Sequence, residues 1–422
     1  MSFSEVTLGE ISIGNKGSYG VAASAVEYSE DLYTYLRITD INDDGTLNKN
    51  GLKSVDDENA TKHLLKPNDI VFARTGGSTG RSYFYDGTDG VFVYAGFLIK
   101  FSLDPTKVNP KYLRYYTLSD EYKGWVNSFN TGSTRGNINA QTYANMKLRL
   151  PDGDQQKLLV DTLSCLDNMI ELNNRTNQVL EEVAKALFKH WFVDFEFPNE
   201  DGQPYKSSGG EMVNSELGEM PNGWRVSSLA DIIDVRDGTH DSPKPIEDGF
   251  TLVTSKHLMP YGVNFKDTYS ISEADYLKIN QRSVVEPYDI LISMIGTVGN
   301  ISYIMYDKIK FAIKNIGLFK TSLRRDLSEF ILLYLKSDFV TKHIYSRLAG
   351  NTQKYISLTE LRNFPIILPG DKRLIAFKSL TEPLFKHIKY NENQSVAVLS
   401  IRDTLLPKLM SGEIRVPIEE VV

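Results

Sequence analysis

Between Asp154 and Phe195 the chain carries no proline or glycine, and its apolar positions recur in alternating steps of three and four. The stripe runs through Leu159, Leu163, Leu166, Ile170, Asn173, Asn177, Leu180, Ala184, Leu187 and Trp191. Such spacing turns one helical face toward a partner helix in coiled-coil fashion. It predicts a long helix over 154–196, roughly 60 Å long at ~1.5 Å per residue. A second stripe lies 218 residues further on: Phe377, Thr381, Leu384, Ile388, Asn391, Ser395, Val398, Arg402, Leu405 and Leu409. It predicts a helix over 371–411, with Pro383 expected to break or kink the first turns. Asn173 and Asn391 fall at the same position of the two stripes, where a buried polar pair would set register and orientation at some cost in stability. The helices are therefore expected to pair, with Leu163, Leu166, Ile170, Asn173, Leu180 and Leu187 facing Leu384, Ile388, Asn391, Val398, Leu405 and Leu409. Two independent amphipathic helices on separate cores are the plainer alternative.

The matching stripes belong to a larger duplication. The segment KPNDIVFARTGGSTGRSYF (66–84) aligns with EPYDILISMIGTVGNISYI (286–304), so that Pro67/Pro287, Asp69/Asp289, Gly76/Gly296 and Tyr83/Tyr303 coincide. Further on, Gly132/Gly350, Thr134/Thr352, Ile138/Ile356 and Pro151/Pro369 fall together. A single duplication of this length means two homologous domain-plus-helix units rather than a solenoid of short repeats. The segment 197–222 is rich in Gly, Pro, Ser and acid and reads as a linker or exposed loop. The expected organisation is a first domain (1–153), a long helix (154–196), this linker (197–222), a second domain (223–370), a second long helix (371–411) and a tail (412–422). An antiparallel pairing related by a pseudo-twofold axis would hold the two domains apart and opposed.

Composition narrows the chemistry. The 422 residues carry a net charge of −7, far from the basic signature of a free-standing nucleic-acid binder. The excess is local: 199–222 has five acids against one cation, whereas 223–370 has 18 cations and 16 acids. Contact with a polyanion would therefore come from local basic loops, with a partner supplying more neutralisation. One cysteine, Cys165, excludes an internal disulfide framework and suits a reducing cytoplasm. Next to Leu166 in the stripe, it reads as a small buried hydrophobe. No apolar run approaches a bilayer span, and the N-terminus lacks signal-peptide features.

The common catalytic signatures do not assemble. Asn109-Pro110-Lys111-Tyr112 lacks the second proline of a base-holding methyltransferase loop, and Pro151-Asp152 follows Glu121-Tyr122-Lys123 in the wrong order for a metal-dependent nuclease. GGSTGRS (76–82) is one residue short of a phosphate-binding loop and carries Arg81 where lysine belongs. A tight turn between strands is the better reading, since glycine tolerates positive φ. None of the six histidines pairs with another His or Cys at ligand spacing, so neither a metal site nor a cofactor is expected.

SIRDTLLPKLMSGEI (400–414), DILISMIGTVGN (289–300), RDGTHDSPKP (236–245), LGEMPNGWRVSSL (217–229) and the GSTRGNI/GNTQKYI pair resemble the specificity (S) subunits of type I restriction-modification systems. The resemblance covers nearly the whole chain, and departs where KHWFVDF (189–195) replaces the LLPKLMSG-type ending in the first half. It implies an α+β fold with two mixed α/β target recognition domains, each reading one half of a bipartite asymmetric site in double-stranded DNA. The long helices would serve as spacer and as docking surface for two modification (methyltransferase) subunits. Methyl transfer would belong to those subunits, and translocation and cleavage to a restriction subunit, leaving this chain noncatalytic and without a cofactor. A helical interaction scaffold with degenerate recognition domains is the alternative.

Base reading needs Arg, Lys, Asn or Gln at base edges, with further cations and hydroxyls on phosphates, and loops on a constant scaffold are their natural place. On that ground Lys16, Ser18, Tyr19, Arg74, Arg81 and Arg135 are the DNA-contact candidates of the first half, and Thr239, His240, Lys244, Lys256, His257 and Lys354 those of the second. Arg135 aligns with Gln353, which fits domains reading different sequences and fits a solvated loop equally. His240 beside Asp241 also suits a turn stabilised by side-chain hydrogen bonds.

Overall fold

The computed structural model describes residues 3–129, 136–350 and 354–416. Short, nearly uninterrupted apolar runs such as DIVFA (69–73) and ILIS (290–293) make fully buried strands, and each becomes an inner strand of a four-stranded antiparallel sheet. In the first repeat that sheet has the order Ser18–Tyr19, Leu98–Ser102, Asp69–Ala73, Ser82–Tyr85. In the second it is Val235–Asp237, Ile316–Phe319, Ile290–Ser293, Ile301–Tyr303. The connectivity is the same. In each repeat the first strand pairs antiparallel with the strand before the long helix: Phe3–Thr7 with Lys147–Pro151, and Arg225–Ser228 with Pro365–Leu368. A further sheet in each contains one parallel pair, Tyr33–Leu36 with Phe92–Tyr94, and Phe250–Thr254 with Phe311–Lys314. The duplication is thus a duplication of topology.

One local difference matters below. Where the first repeat has only a short 3-10 turn, Ala60–His63, the second inserts the helix Glu273–Ser283. Ser272 caps that helix by accepting from the Asp275 backbone, and Glu273 and Asp275 favour its N-terminal dipole. GGSTGRS lies in the hairpin between Asp69–Ala73 and Ser82–Tyr85, with Gly76 and Gly80 both at positive φ, and so forms a turn.

By contact the described chain divides into two compact units, one formed by the residues up to Ile170 with those from Val396 on, the other by Glu171–Ser395. The long helices Gly153–Phe192 and Asp371–Ser411 contribute to both. In the first unit Leu159, Val160 and Leu163 share a core with Leu406, Leu409 and Met410, and Arg402 pairs with Asp167 at 3.1 Å. In the second, Trp191 and Phe377 lie 5.7 Å apart between ring centres. Asn391 there donates to Asn177 at 2.8 Å, so partners descend along one helix as they rise along the other. The pairing is antiparallel, and every stripe position is buried or half-buried.

Several expectations require correction. Pro383 does not break its helix, which runs on through it. Proline removes one backbone hydrogen bond, but Phe377, Thr381, Phe385 and Ile388 are buried on either side and hold the turn in place. Cys165 is exposed, because it falls one step off the stripe. Asn173 and Asn391 do not pair side chain to side chain. Asn173 donates to Gln394 at 3.0 Å and Ser395 at 3.1 Å, while Asn391 turns to Asn177. Residues 197–222 contain the hairpin Met212–Ser215 with Gly218–Pro221, and Phe197 is buried in a stack with Tyr205 and Trp224. Among the described residues no helix is long and apolar enough to cross a membrane.

Candidate nucleic-acid interface

In the first repeat the strand Ser18–Tyr19 lies at the edge of its sheet, and Tyr19 and Ser18 are both exposed. Tyr19 is held from two sides: its hydroxyl accepts from the Ala140 backbone at 3.1 Å, and the Arg74 guanidinium lies 5.0 Å from its ring centre. Arg74 ends the strand Asp69–Ala73, its backbone fixed by bonds to Phe97 at 3.1 Å and from Ile138 at 2.9 Å. Its Nε finds no hydrogen-bond partner among the described residues. Phe97, whose carbonyl accepts from the Arg74 backbone, is itself 59% exposed. Lys16 is exposed just before the strand Ser18–Tyr19 on the chain. Arg81 is instead tied down, its Nε on Asp43 at 2.7 Å and Nη1 on the Ile41 carbonyl at 3.1 Å. Arg135 lies outside the described residues.

Sheet register identifies the equivalent place in the second repeat. Tyr19 pairs with Ile99, and Asp237 with Gly317, on corresponding strands 218 residues apart. The next residues, Gly20 and Gly238, sit so close to the neighbouring strand that a Cβ would lie 2.1 Å from the Tyr94 carbonyl oxygen or 2.3 Å from that of Ile313. One residue further, Val21 and Thr239 form parallel bridges to Ala95 and Lys314. The backbone is therefore superposable in kind, while the side chains differ. Asp237 replaces Tyr19, and Asn315, whose N–H bonds the Thr239 carbonyl, stands where Gly96 bonds that of Val21.

Asp237 is buried and organises this patch. One carboxylate oxygen takes Arg282 from the inserted helix, and the other meets His240 Nε2 at 2.9 Å. His240 Nδ1 faces Asn315 Oδ1 at 2.8 Å, and the Thr239 hydroxyl accepts from the Asp241 backbone at 3.1 Å. His240 and Arg282 nevertheless remain 61% and 63% exposed. Lys244 and Lys256 are exposed nearby on the chain, and Lys354 is exposed beside the bridge joining Ile295 to Tyr355. His257 is different: it is buried, and its Nδ1 accepts from the Thr254 backbone at 3.0 Å. Burial, with Lys256 beside it, lowers its basicity, so it serves the fold as a neutral ring.

Asp237, Arg282, Asn315 and Phe97 escaped sequence reasoning. Asp237 stands in the RDGTH string, but Arg282 is 45 residues away on a helix without a counterpart in the first repeat. Phe97 carries no sequence signal that would set it apart.

The chain matches the family described as type I restriction modification DNA specificity domain twice, over residues 3–182 and 221–376. It belongs to that family. Among curated members of the specificity family, it is 30% identical over 312 residues to the type I restriction enzyme MjaIX specificity subunit of Methanocaldococcus jannaschii, covering 72% of this chain and 69% of that one. It is 24% identical over 413 residues to the HindI specificity subunit of Haemophilus influenzae, covering 84% and 88%. The crystal structure of a type I restriction-modification S subunit from M. genitalium shares the fold, with a TM-score of 0.51 at 15% identity over 97% of this chain and 96% of the other.

Proposed function

We propose that this specificity-family chain is the noncatalytic DNA-reading subunit of a type I restriction-modification complex, each repeat recognising one half of a bipartite duplex site. The observation that carries this reading is the double family match laid over two repeats that share the connectivity of their four-stranded sheet but differ in the residues along its edge. Two readers of one design with unlike side chains suit an asymmetric target. The exposed Lys16, Ser18, Tyr19, His240, Lys244, Lys256 and Lys354, with the half-buried Arg74 and Thr239, are the proposed contacts. His257 is left out because its ring is inside, and Arg81 because Asp43 holds it. Two modification subunits, and a restriction subunit where present, are the proposed protein partners in the cytoplasm. They would supply both catalysis and the phosphate neutralisation that a net charge of −7 withholds.

The test is binding of the chain, assembled with its modification subunits, to a duplex library over a salt series. One split motif should be enriched, and affinity should fall linearly on logarithmic axes as salt rises. Equal affinity for every sequence at all salt concentrations would refute the proposal and favour the scaffold alternative.

A further inference from the structure

Resting on the DNA-reading function, a more specific assignment follows for the second repeat. We infer that Arg282, oriented by Asp237, reads a guanine in the half-site of that repeat, with His240 as its neighbour in the same patch. Neither Arg282 nor Asp237 stands out in the sequence, and the assignment comes from three features of the structure.

The first is location. The patch occupies the place that Tyr19 and Arg74 occupy in the first repeat, beside equivalent glycines and equivalent parallel bridges. Constant backbone with changed exposed chemistry is what distinguishes a reading position from a folding one. The second is orientation. An exposed arginine ordinarily loses much rotamer freedom on binding, and a buried carboxylate that already grips it removes part of that cost. Asp237 is 6% exposed and holds both heads at once, so Arg282 and His240 are fixed side by side.

The third is the donor count. Among the described residues, the hydrogen bonds of Arg282 all leave from Nη2, to the Asp237 carboxylate and to its carbonyl at 3.3 Å. Of its five donors, the Nε–H and the two Nη1 hydrogens make no hydrogen bond among the described residues. Donors left over in this way suit the O6 and N7 acceptors of guanine in the major groove, the commonest specific arginine contact. A cleft of about 210 Å³ beside it is lined by Thr239, Ser242, Lys278 and Arg282, with the Asp241 and Asp275 carboxylates also on its wall.

The alternative use of an exposed arginine is a phosphate contact, and the two uses separate in one experiment. The assembled complex carrying wild type, Arg282→Lys, Arg282→Gln or Asp237→Asn is equilibrated with a duplex library, and bound sequences are compared across a salt series. Arg282 variants should lose preference for guanine at one position by roughly tenfold or more, leaving the other half-site unchanged. Asp237→Asn should relax the same position, and adding Arg282→Gln to it should change little further, as expected for a positioning residue. Arg282→Lys keeps a cation beside the buried Asp237 carboxylate, and the melting temperatures of both Arg282 variants are read alongside, so that a change of preference at one position is separated from a loss of folded complex.

Uniform weakening across all sequences, with the salt slope reduced by about one, would make Arg282 a phosphate contact and overturn the assignment. So would an unaltered preference, or a wild-type motif without guanine in either half. A wild-type complex with no sequence preference at all would instead defeat the underlying DNA-reading function.

Discussion

Asn391 donates from Nδ2 to Asn177 Oδ1 at 2.8 Å, joining facing turns of the two long helices. Moved by the 218-residue repeat, Asn173 becomes Asn391 and Asn177 becomes Ser395, so this contact and that of Asn173 with Ser395 are one contact made twice. Both asparagines are buried, which makes an unmatched amide costly. Asn391→Leu leaves Asn177 Oδ1 without its donor and should destabilise the chain by about 1–3 kcal/mol. A shift of the urea midpoint to lower concentration checks this. An unmoved midpoint would show that the layer does not hold the helices.

The aromatic end of the same pairing should matter more. Phe377 is 1% exposed and lies against Phe188, Trp191 and Phe192. Removing its ring forfeits burial and leaves a cavity, so Phe377→Ala should cost about 3–5 kcal/mol by chemical denaturation.

Acid should attack a different contact. Burial by itself would raise the Glu181 carboxyl, but the Lys336 charge and hydrogen bonds from Lys185, Tyr261 and Lys336 together outweigh it and hold the carboxyl down at about 2. A folded-state value below the unfolded 4.5 means stability that is present above pH 4.5 and lost as pH falls toward 2. Burial also draws the Lys336 ammonium below its usual range, so the pair stabilises less than the carboxylate alone suggests. Glu181→Gln should lower the melting temperature at pH 7 and flatten its decline between pH 5 and pH 2.5. Parallel wild-type and variant curves would exclude the pair as the acid-sensitive element.

The two glycines of the first-repeat hairpin should respond unequally to alanine. Gly76 (φ +80°) has nothing within 4 Å of where a Cβ would stand, whereas at Gly80 (φ +87°) a Cβ would lie 2.4 Å from Val126 Cγ1. Gly76→Ala should cost only the backbone strain, roughly 1 kcal/mol, and Gly80→Ala should cost clearly more because Val126 must also move. Equal melting temperatures for the two variants would contradict this.

The long helices were legible in the sequence because periodicity and the absence of Pro and Gly are properties of the chain itself. The duplication was legible for the same reason, and it carried the topology of the second repeat with it. The folded segment 197–222 was hidden by its composition, since Gly, Pro and Ser mark hairpins as readily as linkers and only the packing of Phe197 tells them apart. Pro383 misled because local propensity yields to burial on both sides. At the candidate interface, Tyr19 and His240 are proposed from residue type, while the grip of Asp237 on Arg282 joins separate elements that no spacing rule connects. His257 shows the converse: a plausible reader by type, it faces inward.

The paired glycines and parallel bridges beside Tyr19 and Asp237 have an evolutionary consequence. Sheet ladders are made by main-chain atoms, so residues 19, 97, 237 and 315 can be exchanged without disturbing the hydrogen bonds that build the domain. A descendant of this chain could thus acquire a new target by a handful of side-chain replacements while inheriting its architecture unchanged. Gly20 and Gly238, which no reader of DNA would touch, are the positions such a lineage would have to keep.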